Sequence, residues 1–296
     1  MRNKSFIIGM LVVGMLLMMF CPAFAAVNPE EKSQNVDVII EKSGIQAQLA
    51  AIPATLQQQI GKTKDTDEKS QKIAAIVAED FTAENIIAEI KRTLSEQYNE
   101  KYAREVLKFY NSNLGTKIVR CEIASSDPVF QDKVKGFNIE NYDQKRRQVI
   151  NNLFKDTNIQ EFYYLLSSSM YESLFQTLNA LLPEGFQISA SKMNEFKKKI
   201  KEQYYSEEYK QKLLADFFIM YEDITNDEVV EYSKFYRSKS GKWVNKCIET
   251  GMIDGFKVCT EKMVTHIAES SNNQLDDSQE SDEEEDTSED TLDETL

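Results

Sequence analysis

Hydrophobic residues recur at three- and four-residue steps along most of this chain. In the stretch "NIIAEIKRTL" one helical face carries four apolar side chains, those of Ile86, Ile87, Ile90 and Leu94. The stretch 162–182 shows the same spacing. Glycine and proline, which mark the turns of a many-stranded sheet, number only 10 and 5. We therefore predict an all-α fold.

A short phrase occurs twice in the chain. "KFYNSNLGTKIVRC" at 108–121 returns 126 residues later as "KFYRSKSGKWVNKC" at 234–247. Besides a lysine and a cysteine, the shared positions are Phe109, Tyr110, Ser112 and Gly115 in the first copy and Phe235, Tyr236, Ser238 and Gly241 in the second. Before the second copy, Thr225 and Glu228 form the pattern of a capping box, which predicts a helix start.

We interpret this phrase as a joint in which two helices meet at a corner. The aromatic pair closes the apolar stripe of one helix, and the serine caps the next helix by accepting a hydrogen bond from its first turn. The glycine has no Cβ, so the corner can lie tightly against the ring of the preceding aromatic residue. Aromatic stripes at helical spacing are far more often core than cofactor sites, so the phrase is predicted to be architectural.

The second copy with its flanks, "ITNDEVVEYSKFYRSKSGKWV", resembles the signature of a bacterial family called domain of unknown function 2059. That signature has an acidic helix start, then Phe-Tyr-x-Ser/Thr-Pro-x-Gly and a basic or aromatic continuation. The eight motif residues match it in both copies, but Asn113 and Lys239 replace its usual proline, so both corners should be less rigid. The resemblance implies a helical protein exported across the inner membrane, and it implies no established activity.

The duplication is predicted to extend beyond the phrase. An Ile-Gln step occurs at Ile45 and again at Ile159, which are 114 residues apart. We therefore predict two tandem helical units, 34–125 and 145–268, with about 12 extra residues in the second. Repeats of this size usually bury their apolar faces against each other.

The N-terminus has the pattern of a secretory signal peptide. Arg2 and Lys4 precede an uncharged run of about 15 residues, shorter than the roughly 20 needed for a membrane-spanning helix. Ala23 and Ala25 form a small-x-small cleavage site, so residues 1–25 are predicted to be removed. Cys21 raises the alternative of a lipoprotein, although bulky residues precede it. We expect a periplasmic or secreted protein without a stable membrane span.

Charge is concentrated at the other end of the chain. Residues 270–296 contain twelve acidic and no basic residues, which accounts for most of the net charge of −14. With few apolar residues to bury, this tail is predicted to be disordered, and it serves either solubility or the attraction of basic partners. The rest of the mature chain is only mildly acidic, so we expect no binding of nucleic acid.

Three cysteines remain after signal removal. Cys121 and Cys247 occupy matching places in the two phrases, and an exported protein can form disulfides. On one straight helix Cys247 and Cys259 would lie about 18 Å apart, too far to bond, unless Gly251 and Gly255 break that helix. Two interpretations stay open: a Cys121–Cys247 disulfide, or buried thiols without a bond.

The sequence offers little for catalysis. His266 is the single histidine, no CxxC spacing suggests zinc, and no cofactor motif is present, so we predict neither catalytic, cofactor nor metal residues. Acidic pairs such as Asp216 with Glu222 are interpreted as exposed helix faces. The favoured function is non-catalytic binding of an envelope protein, a peptide or an apolar ligand. The alternatives are a chaperone-like or structural envelope protein and a hydrolase that uses unrecognised carboxylates. The specific partner and the oligomeric state are not predicted.

Overall fold

The computed structural model describes residues 29–50 and 68–285, and within these ranges it is all-helical, as predicted. The first helices are α1 (Pro29–Ser43), α2 (Ile45–Leu49), α3 (Glu68–Asp80), α4 (Ala83–Glu96), α5 (Glu100–Tyr110), α6 (Asn113–Ala124) and α7 (Pro128–Lys135). The later helices are α8 (Gln144–Thr157), α9 (Ile159–Leu181), α10 (Ala190–Tyr204), α11 (Glu207–Met220), α12 (Asn226–Arg237) and α13 (Lys239–Glu285). Two short 3₁₀ turns lie at Ile139–Asn141 and Glu184–Phe186.

Helix starts follow local capping chemistry. The predicted capping box is confirmed, because Thr225 accepts a hydrogen bond from the backbone of Glu228 while the Glu228 carboxylate accepts one from the backbone of Thr225. Two further helices, α2 and α9, begin at the two Ile-Gln steps. Gly44 (φ 70°) and Asn158 (φ 50°) directly precede them and share the left-handed backbone conformation.

Two apolar clusters form the core. Cluster A consists of Val36, Ile39, Ile40, Ile45, Leu49, Val77, Phe81, Ala83, Ile86, Ile87, Ile90, Leu94, Ala103, Val106, Phe162, Leu166, Val244, Cys247, Phe256 and Cys259. Cluster B consists of Ile118, Val149, Ile150, Leu153, Phe154, Leu213, Leu214, Phe217, Phe218, Tyr221, Ile224, Val229 and Tyr232. The four apolar side chains predicted for one face of α4 all lie in cluster A, where none is more than 8% exposed.

The two clusters do not follow the boundaries of the predicted units 34–125 and 145–268. Ile118 on α6, from the first unit, packs in cluster B with the helices of the second unit. Val244 and Phe256 on α13, from the second unit, pack in cluster A with the helices of the first. The helix that follows each phrase therefore crosses into the other unit, so the core is shared rather than divided at 125–145.

Helix α13 is continuous through both glycines that might have broken it. A Cβ added to Gly251 would lie 2.5 Å from Ile90 Cα, and one added to Gly255 would lie 2.7 Å from Ile86 Cα. Glycine is needed here because α13 packs directly on the backbone of α4, not because the helix bends. Cys247 and Cys259 consequently stand on one unbroken helix.

Residues at both chain ends lie outside the described ranges. The predicted signal peptide, 1–25, falls outside the described residues. Helix α13 runs to Glu285 and so enters the segment 270–296 for which disorder was predicted, while 286–296 are not described. Among the helices that the structure does describe, none combines the length and the apolar character required to cross a membrane.

Candidate functional site

Both phrases form the predicted joint between two helices. The Ser112 hydroxyl accepts a hydrogen bond from the Gly115 backbone N–H at 3.0 Å, and Ser238 accepts one from Gly241 at the same distance. Each serine thereby caps the following helix, α6 or α13. Asn113 and Lys239, which replace the family's proline, are the first residues of those two helices.

The glycines of the joints act differently from the prediction. A Cβ added to Gly115 would lie 2.1 Å from the carbonyl oxygen of Phe109, and one added to Gly241 would lie 2.1 Å from that of Phe235. The tight approach is thus to the backbone of the preceding helix rather than to an aromatic ring. Any other residue here would force the two helices of the joint apart.

The two joints meet in the middle of the molecule. The rings of Phe109 and Phe235 stack with centroids 3.7 Å apart and an interplanar angle of 7°. Tyr110 stands edge-on to Phe235 with ring centroids 6.4 Å apart, and Tyr232 stacks on Phe109 with centroids 5.9 Å apart. The repeated phrase therefore joins the two units to each other as well as joining helices within each unit.

A cavity of about 330 Å³ opens beside this aromatic stack, between clusters A and B. Three of the five aromatic residues in the phrases, Tyr110, Phe235 and Tyr236, line it. Other aromatic lining residues come from further helices: Phe130, Phe162, Tyr163, Phe217, Tyr221 and Tyr232. The phrase was predicted to be architectural only, whereas its aromatic side chains also form a wall of this cavity.

The charged residues of the cavity wall that the structure describes are all acidic. Glu122 of α6, Asp216 of α11 and Glu249 of α13 line the cavity, and none of the described lining residues is a lysine, arginine or histidine. Burial raises the pKa of Glu249 above its usual range, and Lys246 only partly opposes this. The cavity thus combines aromatic surface with carboxylates that are poorly solvated.

Glu122 is held by two tyrosines. The hydroxyls of Tyr221 and Tyr232 donate hydrogen bonds to the same carboxylate oxygen, Oε1, at 3.0 and 2.9 Å. Burial raises the pKa of Glu122, and the two phenol donors oppose that shift. The same burial, together with the Glu122 charge, raises the pKa values of Tyr221 and Tyr232, so both stay protonated donors at neutral pH.

Two other polar groups of the wall have buried atoms without a partner. Asp216 Oδ1 and Asn245 Nδ2 have no hydrogen-bond partner among the described residues. Burial raises the pKa of Asp216 to about 6, with Lys212 acting weakly against it. A buried acceptor and a buried donor left unpaired are each costly, by about 1–3 kcal/mol, unless something in the cavity binds them.

The three cysteines among the described residues form no disulfide. Cys121, Cys247 and Cys259 are all free, although Cys121 and Cys247 were candidates for a bond. Cys121 packs against cluster B while Cys247 belongs to cluster A, where its thiol faces the amide oxygen of Gln97 at 3.8 Å. Although the two cysteines occupy matching places in the phrases, they pack in different clusters. Burial raises the pKa of Cys247 to about 11, which disfavours its reactive thiolate.

The cavity's polar residues were not predicted as a site. Asp216 was interpreted as part of an exposed acidic face, yet it is partly buried and lines the cavity, whereas Glu222 is exposed. A signal was present in "LLADFF", where one carboxylate interrupts an apolar run. Within 29–50 and 68–285, no group of three His, Cys, Asp or Glu residues is arranged to hold a metal ion.

Comparisons with known proteins give no relative. No family model, curated protein or solved structure matches the chain. The resemblance to domain of unknown function 2059 therefore rests on the motif residues alone and stays a prediction.

Proposed function

We propose that this protein is a non-catalytic binding protein that holds a small molecule with an apolar body in the cavity between clusters A and B. The observation that carries this proposal is the pairing of an aromatic-lined cavity with unsatisfied polar atoms in its wall. Its volume of about 330 Å³ lies at the lower end of the range of about 300–1,000 Å³ typical of ligand pockets.

The unpaired groups point to a ligand rather than to the fold. Asp216 Oδ1 and Asn245 Nδ2 contribute nothing to folding in their present state, because an unpaired buried polar atom costs free energy. An aliphatic pair at these places would pack without that cost. A ligand that accepts from Asn245 and donates to Asp216 would offset it, which is the usual reason for such groups in a binding site.

The proposal includes the compartment and the origin of the architecture. We infer export through the N-terminal pattern of residues 1–25, and a duplicated helical unit from the two phrases. Matched features support the duplication: the serine caps, the glycine approaches, and the left-handed residues Gly44 and Asn158. The binding site then lies where the two copies meet, as is common for sites between repeated units.

Calorimetric titration of the mature full-length protein with 2-(1-naphthyl)ethanol tests the proposal. This neutral probe has a rigid aromatic body and one hydroxyl that can donate and accept. We expect saturable binding at one site per chain. Ile248→Trp, which places a large ring in the cavity wall, should abolish it, and Gln48→Trp should do the same if the first variant folds poorly.

The matched control is Val230→Trp, because Val230 is 38% exposed and does not line the cavity. This variant should bind as well as the wild type. Absence of binding, or binding unaffected by both wall variants, would contradict the proposed function.

A further inference from the structure

We propose that the ligand of this cavity is cationic: an organic amine, protonated at neutral pH, on an aromatic or aliphatic body. This inference rests on the proposed function and assigns it a ligand class. It follows from the distribution of charge and of aromatic rings around the cavity, and from one carboxylate oxygen that lacks a partner.

The wall has an uncompensated negative charge. Among the described residues, three carboxylates and no cationic side chain line it. Two neutral phenols bind Glu122, and no described residue binds Asp216 Oδ1, so neither carboxylate is neutralised by a cation among the described lining residues. Partly buried carboxylates normally pair with a positive charge, and here the ligand is the component that can supply it.

An anionic ligand would be repelled, and a neutral one would leave the charge uncompensated. Two carboxyl groups in a poorly hydrated space interact much more strongly than in water, so a ligand carboxylate or phosphate would be disfavoured. A neutral ligand can fill the apolar volume and hydrogen-bond with Asp216 and Asn245, yet it leaves the negative charge of the wall in place. Only a cation compensates that charge.

The aromatic residues favour the same ligand class. Tyr110, Phe235 and Tyr236 form one side of the cavity, and Tyr232 adds a further ring. Aromatic faces attract ammonium groups, and they do so more strongly where water is excluded. Sites that combine aromatic rings with carboxylates are a usual means by which proteins hold alkylammonium groups. The same rings can pack on an apolar body.

The test compares three probes that share one naphthalene body: 2-(1-naphthyl)ethylamine, 2-(1-naphthyl)ethanol and 1-naphthylacetate. Titration calorimetry at pH 7.5 and 0.15 M salt should show the amine binding at least tenfold tighter than the alcohol. The acetate should bind at least tenfold more weakly than the alcohol. Asp216→Asn should remove most of the amine's advantage, so that the amine binds less than about threefold more tightly than the alcohol.

Two controls separate the cavity from the rest of the chain. Residues 270–296 attract any cation, so the amine is also titrated into full-length Ile248→Trp, which retains this segment and should show only weak, non-saturating heat. Glu222→Gln removes an exposed carboxylate outside the cavity and should leave the ranking of the three probes unchanged.

The outcomes distinguish this inference from the proposed function. Equal affinity for amine and alcohol, or tighter binding of the acetate, would overturn the inference while leaving a ligand-binding cavity. Binding of the amine that persists in Ile248→Trp would assign it to the acidic segment and overturn the inference as well. Failure of all three probes to bind would overturn both.

Discussion

Residues of clusters A and B that correspond by the offset of the sequence repeat differ in chemistry. Glu122 is bound by Tyr221 and Tyr232 of cluster B. The positions that correspond by the 126- or 127-residue offset are Ile248, Leu94 and Val106. Leu94 and Val106 are buried in cluster A, and Ile248 packs against it. Three apolar residues at cluster A therefore correspond in sequence to a carboxylate that is bound by two phenols at cluster B.

A second pair of positions shows the same contrast. Glu89 on α4 and Asp216 on α11 are 127 residues apart, within the related stretches "IIAEI" and "LLADF". Glu89 forms an ion pair with Arg92 at 2.6 Å, whereas Asp216 Oδ1 is buried without a partner. At this pair of positions, Glu89 has a cationic partner, whereas Asp216 retains an oxygen that the fold does not use.

The largest expected effect comes from the glycine that each joint contains. Gly115→Ala and Gly241→Ala should each destabilise the protein by about 4 kcal/mol, because the new Cβ meets a backbone carbonyl that cannot move alone. Chemical denaturation followed by circular dichroism measures this. The control is Gly185→Ala, where nothing lies within 4 Å of the new Cβ and the change should be within about 0.5 kcal/mol. Similar stability of all three variants would contradict the joint geometry.

The stacked rings between the joints should have the next largest effect. Phe109→Ala and Phe235→Ala should each cost about 3 kcal/mol, at the low end for phenylalanine because both side chains are only partly buried. Since the rings contact each other at 3.7 Å, the double variant should cost less than the sum of the two by about 1 kcal/mol. Strict additivity in a double-mutant cycle would show that the joints do not stabilise each other.

The third prediction replaces Glu122, Tyr221 and Tyr232 by apolar residues, as at the corresponding positions of cluster A. Glu122→Ile alone should destabilise by about 2–3 kcal/mol, because the hydroxyls of Tyr221 and Tyr232 lose their acceptor. Adding Tyr221→Phe and Tyr232→Phe should recover at least half of that loss, since no buried donor then stays unpaired. Urea unfolding of the single and triple variants decides this, and a triple variant less stable than the single one would contradict the account.

The smallest expected effect is the stability cost of the Asp216 carboxylate. The pKa of Asp216 is raised from 3.8 to about 6, so its carboxylate destabilises the folded state above pH 6, and this cost disappears as pH falls toward 4. The ionisable groups near it are Tyr163, Tyr209 and Lys212. Asp216→Asn should raise stability at pH 7 by about 1 kcal/mol, after a discount for partial solvent access, and by nothing at pH 4. A variant less stable than wild type at pH 7 would contradict this.

Local physical rules explain which features could be predicted from the sequence. The serine caps, the Thr225–Glu228 capping box and the apolar face of α4 depend on neighbours within four residues, so their pattern is sufficient. The crossing of α6 and α13 into opposite clusters depends on tertiary packing that no local pattern encodes. Gly251 shows this well: in sequence it resembles a helix breaker, while in the structure its missing side chain admits the backbone of Ile90.

The candidate site was less accessible to prediction for the same reason. Glu122, Asp216, Asn245 and Glu249 come from three helices and are far apart in sequence, and acidic residues on helices are usually solvated. Only the fold shows that they converge on one cavity. The aromatic residues of the phrase were identified, but their spacing could not show that one face packs and the other lines a cavity.

The central claim is that the second unit retains polar groups for a ligand at the expense of stability. Thermal melting of wild type and Asp216→Asn at pH 7.5, with and without 2-(1-naphthyl)ethylamine, tests it most directly. Without the amine the variant should melt at the higher temperature. At one hundred times its dissociation constant for wild type, the amine adds about 2.7 kcal/mol to wild-type stability and much less to the variant, so the order should reverse. An Asp216→Asn variant that melts below wild type without the amine, or an equal gain for both proteins with it, would contradict the claim.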